Sequence, residues 1–152
     1  MALIKDTLEL DVSALVLSDI EDNVFNLSKI KGKNVVLVGA GREGAPEARK
    51  WGKFLSAECN NFDDVEYLRI AFVGKLPGFV PKSFIKSLLK STSASSPPLI
   101  AWDNQPAELL GLSNPKTPHI FLIDKYNHLR LRFAGYYSQE NLNSVIEELR
   151  KL

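Results

Sequence analysis

The sequence predicts an α/β fold: a three-layer sandwich in which a mixed central β-sheet carries helices on both faces. Three observations lead there. Apolar runs of strand length alternate with segments of helical period along most of the chain. Asn34 to Val38 is a continuous, β-branched apolar run, the mark of a strand covered on both faces. Near the C-terminus, two strand-like runs, His119 to Ile123 and Leu129 to Phe133, flank Asp124-Lys125-Tyr126-Asn127-His128, which reads as a hairpin.

The elements follow in order. Met1 to Asp11 mixes acidic and apolar residues and receives no element. Leu15 to Leu17 and Val24 to Leu27 read as an N-terminal β-hairpin around the polar turn Glu21-Asp22-Asn23. After Asn34 to Val38 comes a glycine-rich loop, then a helix from about Pro46 to Cys59; proline suits a first helical turn, where its missing N–H is no loss. Ala48, Trp51 and Leu55, with Phe54 alongside, give that helix an apolar face. Val65 to Val73 is the next strand. Pro81 opens a second helix with Phe84, Ile85, Leu88 and Leu89 expected to face inward. Leu99 to Trp102 is a short strand, and Gln105 to Leu110 a short helix stopped by Gly111. Ser138 caps a last helix that carries Leu142, Val145, Ile146 and Leu149 at helical spacing. The early strand–helix–strand units should pair parallel, and the late hairpin antiparallel.

The chain of 152 residues suits one domain spanning 1–152, with a full core. Nineteen basic against eighteen acidic residues leave a net charge of +1, a balance that gives no electrostatic reason to expect nucleic acid or an anionic membrane. No apolar run approaches the length of a membrane span. The N-terminus lacks a basic region followed by an apolar one, so a cytoplasmic location is expected unless a leader has been trimmed. Cys59 is the only cysteine, which excludes an intramolecular disulfide. The polar stretch from Ser91 to Pro98 reads as a surface connection.

Four stretches, taken in order, resemble the redoxin branch of the thioredoxin-like superfamily, the branch of peroxiredoxins and thiol-disulfide oxidoreductases. The first runs from Leu17-Ser18-Asp19 through Phe25-Asn26-Leu27-Ser28 to Ile30-Lys31-Gly32-Lys33 and is similar to the family's opening hairpin. The second, Asn34 to Val38, is similar to the strand that enters the active site. The third is Ala107 to Leu112 followed by Thr117-Pro118-His119-Ile120-Phe121-Leu122-Ile123-Asp124, where the resemblance implies a cis bond before Pro118 and backbone groups of Thr117 offered to a substrate peptide. The fourth is Gly135 and the closing helix. No single stretch is specific; their order and spacing carry the resemblance.

The departure is at the chemistry. Counted without gaps, the family's C-x-x-C falls on Ala45-Pro46-Glu47-Ala48, and Gly44 replaces the usual tryptophan before it. No P-x-x-x-T/S-x-x-C motif of a peroxiredoxin is present. Thiol–disulfide exchange and peroxide reduction both need a thiolate, which a helix N-terminus normally activates. Cys59 lies about 20 Å further along the same helix, at about 1.5 Å per residue, by the negative end of the dipole and Glu58.

The remaining motifs are weaker. Gly39-Ala40-Gly41-Arg42-Glu43-Gly44 fits G-x-G-x-x-G between a strand and a helix, the context of a dinucleotide fingerprint. Pro46 puts the helix start after the third glycine, and the next strand ends in Val73-Gly74-Lys75 without a ribose-binding acid, so the glycines are read as shaping a turn. Backbone N–H groups at the helix start, with Arg42 and Arg49, could hold phosphate or a partner's carboxylate. Two histidines, His119 and His128, and one cysteine offer too few donors for a His/Cys metal site, and no cofactor is expected. Phe133, Tyr136 and Tyr137 form an aromatic cluster. The apolar segment Phe72 to Pro81, with Leu76, Phe79 and Val80, is expected to fold back on the core.

The sequence thus leads to a redox-inactive domain that binds a peptide, protein or small ligand near Gly41, Arg42, Glu43, Gly44, Ala45, Pro46 and Arg49 on one segment and Thr117, Pro118 and His119 on the other. The alternative is a thiol-dependent oxidoreductase or peroxiredoxin-like enzyme working through Cys59 or another non-canonical site. Partner identity and oligomeric state are not legible.

Overall fold

The structure is a computed structural model that describes residues 3–30, 32–74, 78–92 and 97–152. Eight strands, β1 (Ile4–Asp11), β2 (Val16–Ser18), β3 (Val24–Asn26), β4 (Asn34–Ala40), β5 (Val65–Phe72), β6 (Leu99–Ala101), β7 (His119–Ile123) and β8 (His128–Ala134), form one mixed sheet in the order β1-β8-β7-β4-β5-β6-β2-β3. The helices are α1 (Ala45–Cys59), α2 (Lys82–Thr92), α3 (Gln105–Leu110) and α4 (Gln139–Leu149). β4, β5 and β6 run parallel, and β7 pairs antiparallel with both β4 and β8. The expected hairpins β2–β3 and β7–β8 are both present.

The strand that the apolar run predicts is the centre of the sheet. All seven residues of β4 are buried, and their alternation feeds two cores. Val35 and Leu37 pack with Ile70, Phe72, Phe121 and Ile123 beneath α3 and the N-terminal segment, where Val12, Leu15, Leu27 and Leu110 close the layer. Val36 and Val38 pack with Ile120 and Leu122 on the other face, under Trp51, Leu55 and Cys59 of α1 and Leu142, Val145, Ile146 and Leu149 of α4. Each such side chain contributes about 1.5–3 kcal/mol of burial. The caps behave as read: Ser138 Oγ accepts the Asn141 N–H at 3.0 Å, and α3 stops at Gly111 in the left-handed region.

Three expectations need correction. Ile4–Asp11 is an edge strand, pairing antiparallel with β8 and bulged between Thr7 and Leu10. Its exposed acidic side chains obscure the period-2 pattern of Ile4, Leu8 and Leu10, of which only Leu8 is even partly buried. α2 does not turn its apolar face inward as a block: Phe84 is 54% and Leu88 45% exposed, and α2 contributes no residue to either core. Phe79 does not fold back on the core either; it is 87% exposed, while Leu76 lies outside the described residues, as do 93–96 of the expected surface connection. Helical spacing marks an apolar face, but only tertiary contacts decide whether anything covers it.

The aromatic cluster divides in the same way. Phe133 is core, Tyr136 is exposed, and Tyr137 packs edge-on against Trp51 and stacks on Phe54. Trp51 donates its indole N–H to the Gly135 carbonyl at 2.9 Å, tying α1 to the end of β8. One buried polar atom in this layer is left over: the Tyr67 hydroxyl has no hydrogen-bond partner among the described residues, and burial pushes its pKa above the usual tyrosine value. A buried hydroxyl without a partner costs about 1–3 kcal/mol. Tyr67→Phe should therefore keep or raise stability, by about 1 kcal/mol, in urea unfolding at neutral pH; a loss larger than that would mean that the hydroxyl is hydrogen-bonded in solution.

Candidate functional site

The register of the parallel strands brings the candidate segments to one edge of the sheet. Ala40 stands opposite Ala71, Phe72 opposite Ala101, and Gly39 opposite His119. The chain therefore leaves β4 and enters β7 at the same edge, the edge outside the carboxyl ends of parallel strands where α/β folds place ligands.

There the two segments touch through their backbones. The Gly41 N–H donates to the Pro115 carbonyl at 2.8 Å. A Cβ at position 41 would lie 2.7 Å from Pro115 Cβ, and one at position 44 would lie 2.9 Å from the Lys116 carbonyl oxygen. Glycine is needed at both places for close approach, which accounts for two glycines of the G-x-G-x-x-G pattern without a nucleotide. A single 3₁₀ turn, Arg42–Gly44, follows and runs into α1 at Ala45, with Pro46 in the first turn. Neither the turn nor the helix has a side-chain cap; the Ala45 N–H donates to the Arg42 carbonyl, Pro46 has no N–H, and Glu47 lies in the first turn at the positive end of α1. Arg42, Glu43, Pro46, Arg49 and Lys116 are exposed around it, and Ala45 and Ala48 are half-buried. Lys116 and Glu43 pair at 3.6 Å; with both side chains about two-thirds exposed, the bridge contributes at most about 1 kcal/mol.

Thr117-Pro118 enters β7 differently from the expectation. The described residues contain no cis peptide bond, so the Thr117–Pro118 bond is trans. The physical reason is a turn closed by Asn114: its carbonyl accepts the Thr117 N–H at 3.1 Å and its side chain the Lys116 N–H at 3.0 Å, which reverses the chain before Pro118 is reached. Thr117 has no idle backbone group, because its carbonyl is held by His119 Nδ1 at 2.9 Å.

His119 is the fastener of this loop. A carbonyl only accepts, so Nδ1 carries the proton and Nε2 accepts from the Ser113 hydroxyl, 3.2 Å away. The ring is 1% exposed and stacks over Phe121. Burial, chiefly, holds its pKa below the usual histidine value; the Thr117 contact partly opposes this. A neutral, doubly bonded imidazole positions the loop and is not available to a ligand. Pro118 is buried as well, so of the second segment only Thr117 is partly accessible.

Cys59 sits at the far end of α1 from Ala45, 3% exposed. Burial first and the Glu58 carboxylate second push its thiol up to about 12, the opposite of the acidified thiolate that redox chemistry uses. Among the described residues, no group of three or more His, Cys, Asp or Glu side chains is placed to hold a metal ion.

No family model matches the chain, and no curated protein sequence matches it. Many solved structures do. The fold is similar to that of the pneumococcal exposed lipoprotein thioredoxin Etrx1 of Streptococcus pneumoniae TIGR4, at 19% identity over 91% of this chain and 98% of that one, with a TM-score of 0.68. It is similar to a putative thiol:disulfide interchange protein DsbE of Chlorobium tepidum, at 16% identity over 96% and 98% of the two chains (TM-score 0.68), and to peroxiredoxin Q of Xanthomonas campestris, at 14% identity over the same shares (TM-score 0.68). The fold is thioredoxin-like, of the redoxin kind, and the single cysteine leaves no C-x-x-C pair.

Two predictions follow from this geometry. An unfolded histidine titrates near 6.5, whereas folded His119 titrates lower, so acid protonates the unfolded chain first. The contribution of neutral His119 is complete above about 6.5 and is lost as pH falls from there through the lower folded value. Urea titrations across that window should show the stability of the wild type falling more steeply than that of His119→Gln; parallel slopes would remove His119 from the account. Second, Ala45→Cys with Ala48→Cys, on a Cys59→Ser background, should close a disulfide under mild oxidant. C-x-x-C at a helix start meets the required Cα separation. Intact-mass analysis reads the bond, and a folded but unbridged double variant would show that the gap-free register is wrong.

Proposed function

We propose that this chain is a redox-inactive thioredoxin-fold binding protein whose partner, a peptide, a protein or a small ligand, meets the edge formed by the Gly41–Pro46 loop and Thr117-Pro118. The observation that carries the reading is the fate of the thiol. The helix start that would acidify a cysteine holds Ala45 and Ala48, and the one cysteine is buried at the other end of the helix with its thiol pushed up to about 12. What the edge still offers is charge and shape. Arg42, Arg49 and Lys116 surround the uncapped, positive end of α1, which favours an anionic group such as a partner's carboxylate or a phosphate. Because the Thr117 N–H and C=O are already engaged, the contacts come from these side chains and not from strand-like pairing with Thr117.

The alternative, an enzyme acting through Cys59, requires a thiolate where burial and Glu58 both oppose one. Insulin-disulfide reduction and peroxide turnover should stay at background, unchanged by Cys59→Ser; turnover abolished by that substitution would decide for the enzyme. The binding reading has its own test. A photo-crosslinking residue at position 42 should give a discrete adduct in the host cell that Arg49→Glu removes, whereas the same residue at position 60, at the far end of α1, should not. Equal adducts from both positions would overturn the assignment of the site.

A further inference from the structure

The near-zero net charge of the chain conceals a segregation. Residues 67–102 hold five basic residues, Arg69, Lys75, Lys82, Lys86 and Lys90, and no acidic one, while fourteen basic and eighteen acidic residues make up the rest. This acid-free segment contains α2, where none of the side chains described is buried, although Phe84, Ile85, Leu88 and Leu89 give it a pronounced apolar face. Ile85 and Leu89 are half-buried toward the body of the protein. On that side Lys86 reaches Asp22 in the β2–β3 turn at 2.5 Å, and Lys82 lies over the Trp102 ring at 5.0 Å.

The outward stripe is different. At 100° per residue, Phe84, Ser87, Leu88 and Ser91 share one side of α2, and no charge interrupts it. Phe84 is 54% and Leu88 45% exposed, and Phe79, just before the helix, is 87% exposed. Phe79 and Phe84 are the two most exposed phenylalanines in the molecule and lie five residues apart. Lys90 is exposed at its flank.

We propose that α2 and the turn carrying Phe79 form a peripheral docking surface for an anionic lipid bilayer. Large exposed apolar side chains on a cationic, acid-free helix are the composition of interfacial helices, whose apolar residues enter the headgroup region while lysines meet anionic lipid. Charge decides against a second copy of this chain, because apposing two copies of α2 would bring lysines together on helices that hold no carboxylate. Shape decides against a peptide. Phe79 is 87% exposed, and a projecting side chain enters a fluid interface but does not enclose a strand or helix. The helix is free to serve this purpose because neither core needs it.

The test is co-sedimentation of the full chain with sucrose-loaded vesicles of phosphatidylcholine alone or with about one-third phosphatidylglycerol. Binding to the anionic vesicles only is expected. It should weaken at least about tenfold in Phe79→Ser/Phe84→Ser/Leu88→Ser, and again when salt rises from about 0.1 M to about 1 M, which shortens the Debye length from about 10 Å to about 3 Å. Lys90→Glu should weaken binding at least about fivefold. The far-UV spectrum and melting temperature of the triple variant should match the wild type; Phe79→Ser alone serves if they do not. Absence of binding, equal binding to neutral vesicles, or binding indifferent to the apolar substitutions would each overturn the proposal. So would soluble polyglutamate binding as tightly as the vesicles, which points to an acidic protein, or a dimer that the triple variant dissolves.

Discussion

Everything in this molecule is referred to β4, a strand with no solvent on either face. Its residues belong alternately to two cores, so a slip of one position would send Val36 and Val38 into the layer shaped for Val35 and Leu37. Asn34 fixes the start. Its N–H donates to the Asp64 carbonyl at 2.8 Å, at the entry to β5, and its side-chain oxygen accepts the Lys125 N–H at 3.0 Å, in the β7–β8 turn. One buried asparagine, through its main-chain N–H and its side-chain oxygen, thus joins the strand to both neighbours at the same level. With the start and the pairing fixed, the end at Ala40 is fixed too, and the glycine turn begins at one defined place.

That turn is held in place without help from the residues at the start of α1. The Gly41–Gly44 turn is held against Pro115 and Lys116 by backbone contact, and His119 fastens the facing loop from inside. None of these contacts involves the side chains at 45 and 48. The scaffold therefore accepts alanine at both places, with exposed charged side chains around the helix start. The trans bond at Pro118 belongs to the same arrangement: the Asn114 turn makes the reversal, and the carbonyl of Thr117 turns inward to His119.

How much of this was legible in the sequence depends on whether the signal was local. The β4 run, Pro46 at the start of α1, Gly111 after α3 and Ser138 before α4 each state their structure within a few residues, and all four hold. β1 was missed because Asp6, Glu9 and Asp11 swamp an alternation that only one neighbouring strand makes use of. The inward face assigned to α2 failed for a deeper reason: a hydrophobic period is a property of the helix, whereas burial is a property of what lies against it. At the site, Ala45 and Ala48 were readable by counting, but the role of His119 was not. Its partners, Ser113 and Thr117, are close in sequence, yet nothing in the sequence says that the ring is buried. Whole-chain charge is silent in the same manner, since a balance of nineteen against eighteen says nothing of where the charges lie.

The two surfaces argued for are not independent. β4 and β5 are parallel and in register to their last residues, Ala40 opposite Ala71, so the Gly41–Gly44 turn and the connection toward Phe79 leave the sheet at the same edge. The next strand closes that edge further, with the Val73 and Gly74 N–H groups both donating to the Ala101 carbonyl, at 3.0 and 3.3 Å. Both surfaces are thus reached from the carboxyl ends of the parallel strands. Arg42 and Arg49 at the start of α1 carry the same sign as the lysines of α2, so an anionic partner and anionic lipid draw on like charges. A partner that neutralises Arg42 and Arg49 weakens the attraction to lipid without touching Phe79, whereas replacing Phe79 leaves the charge at α1 intact. The two occupancies are then coupled through charge and separable by apolar contact.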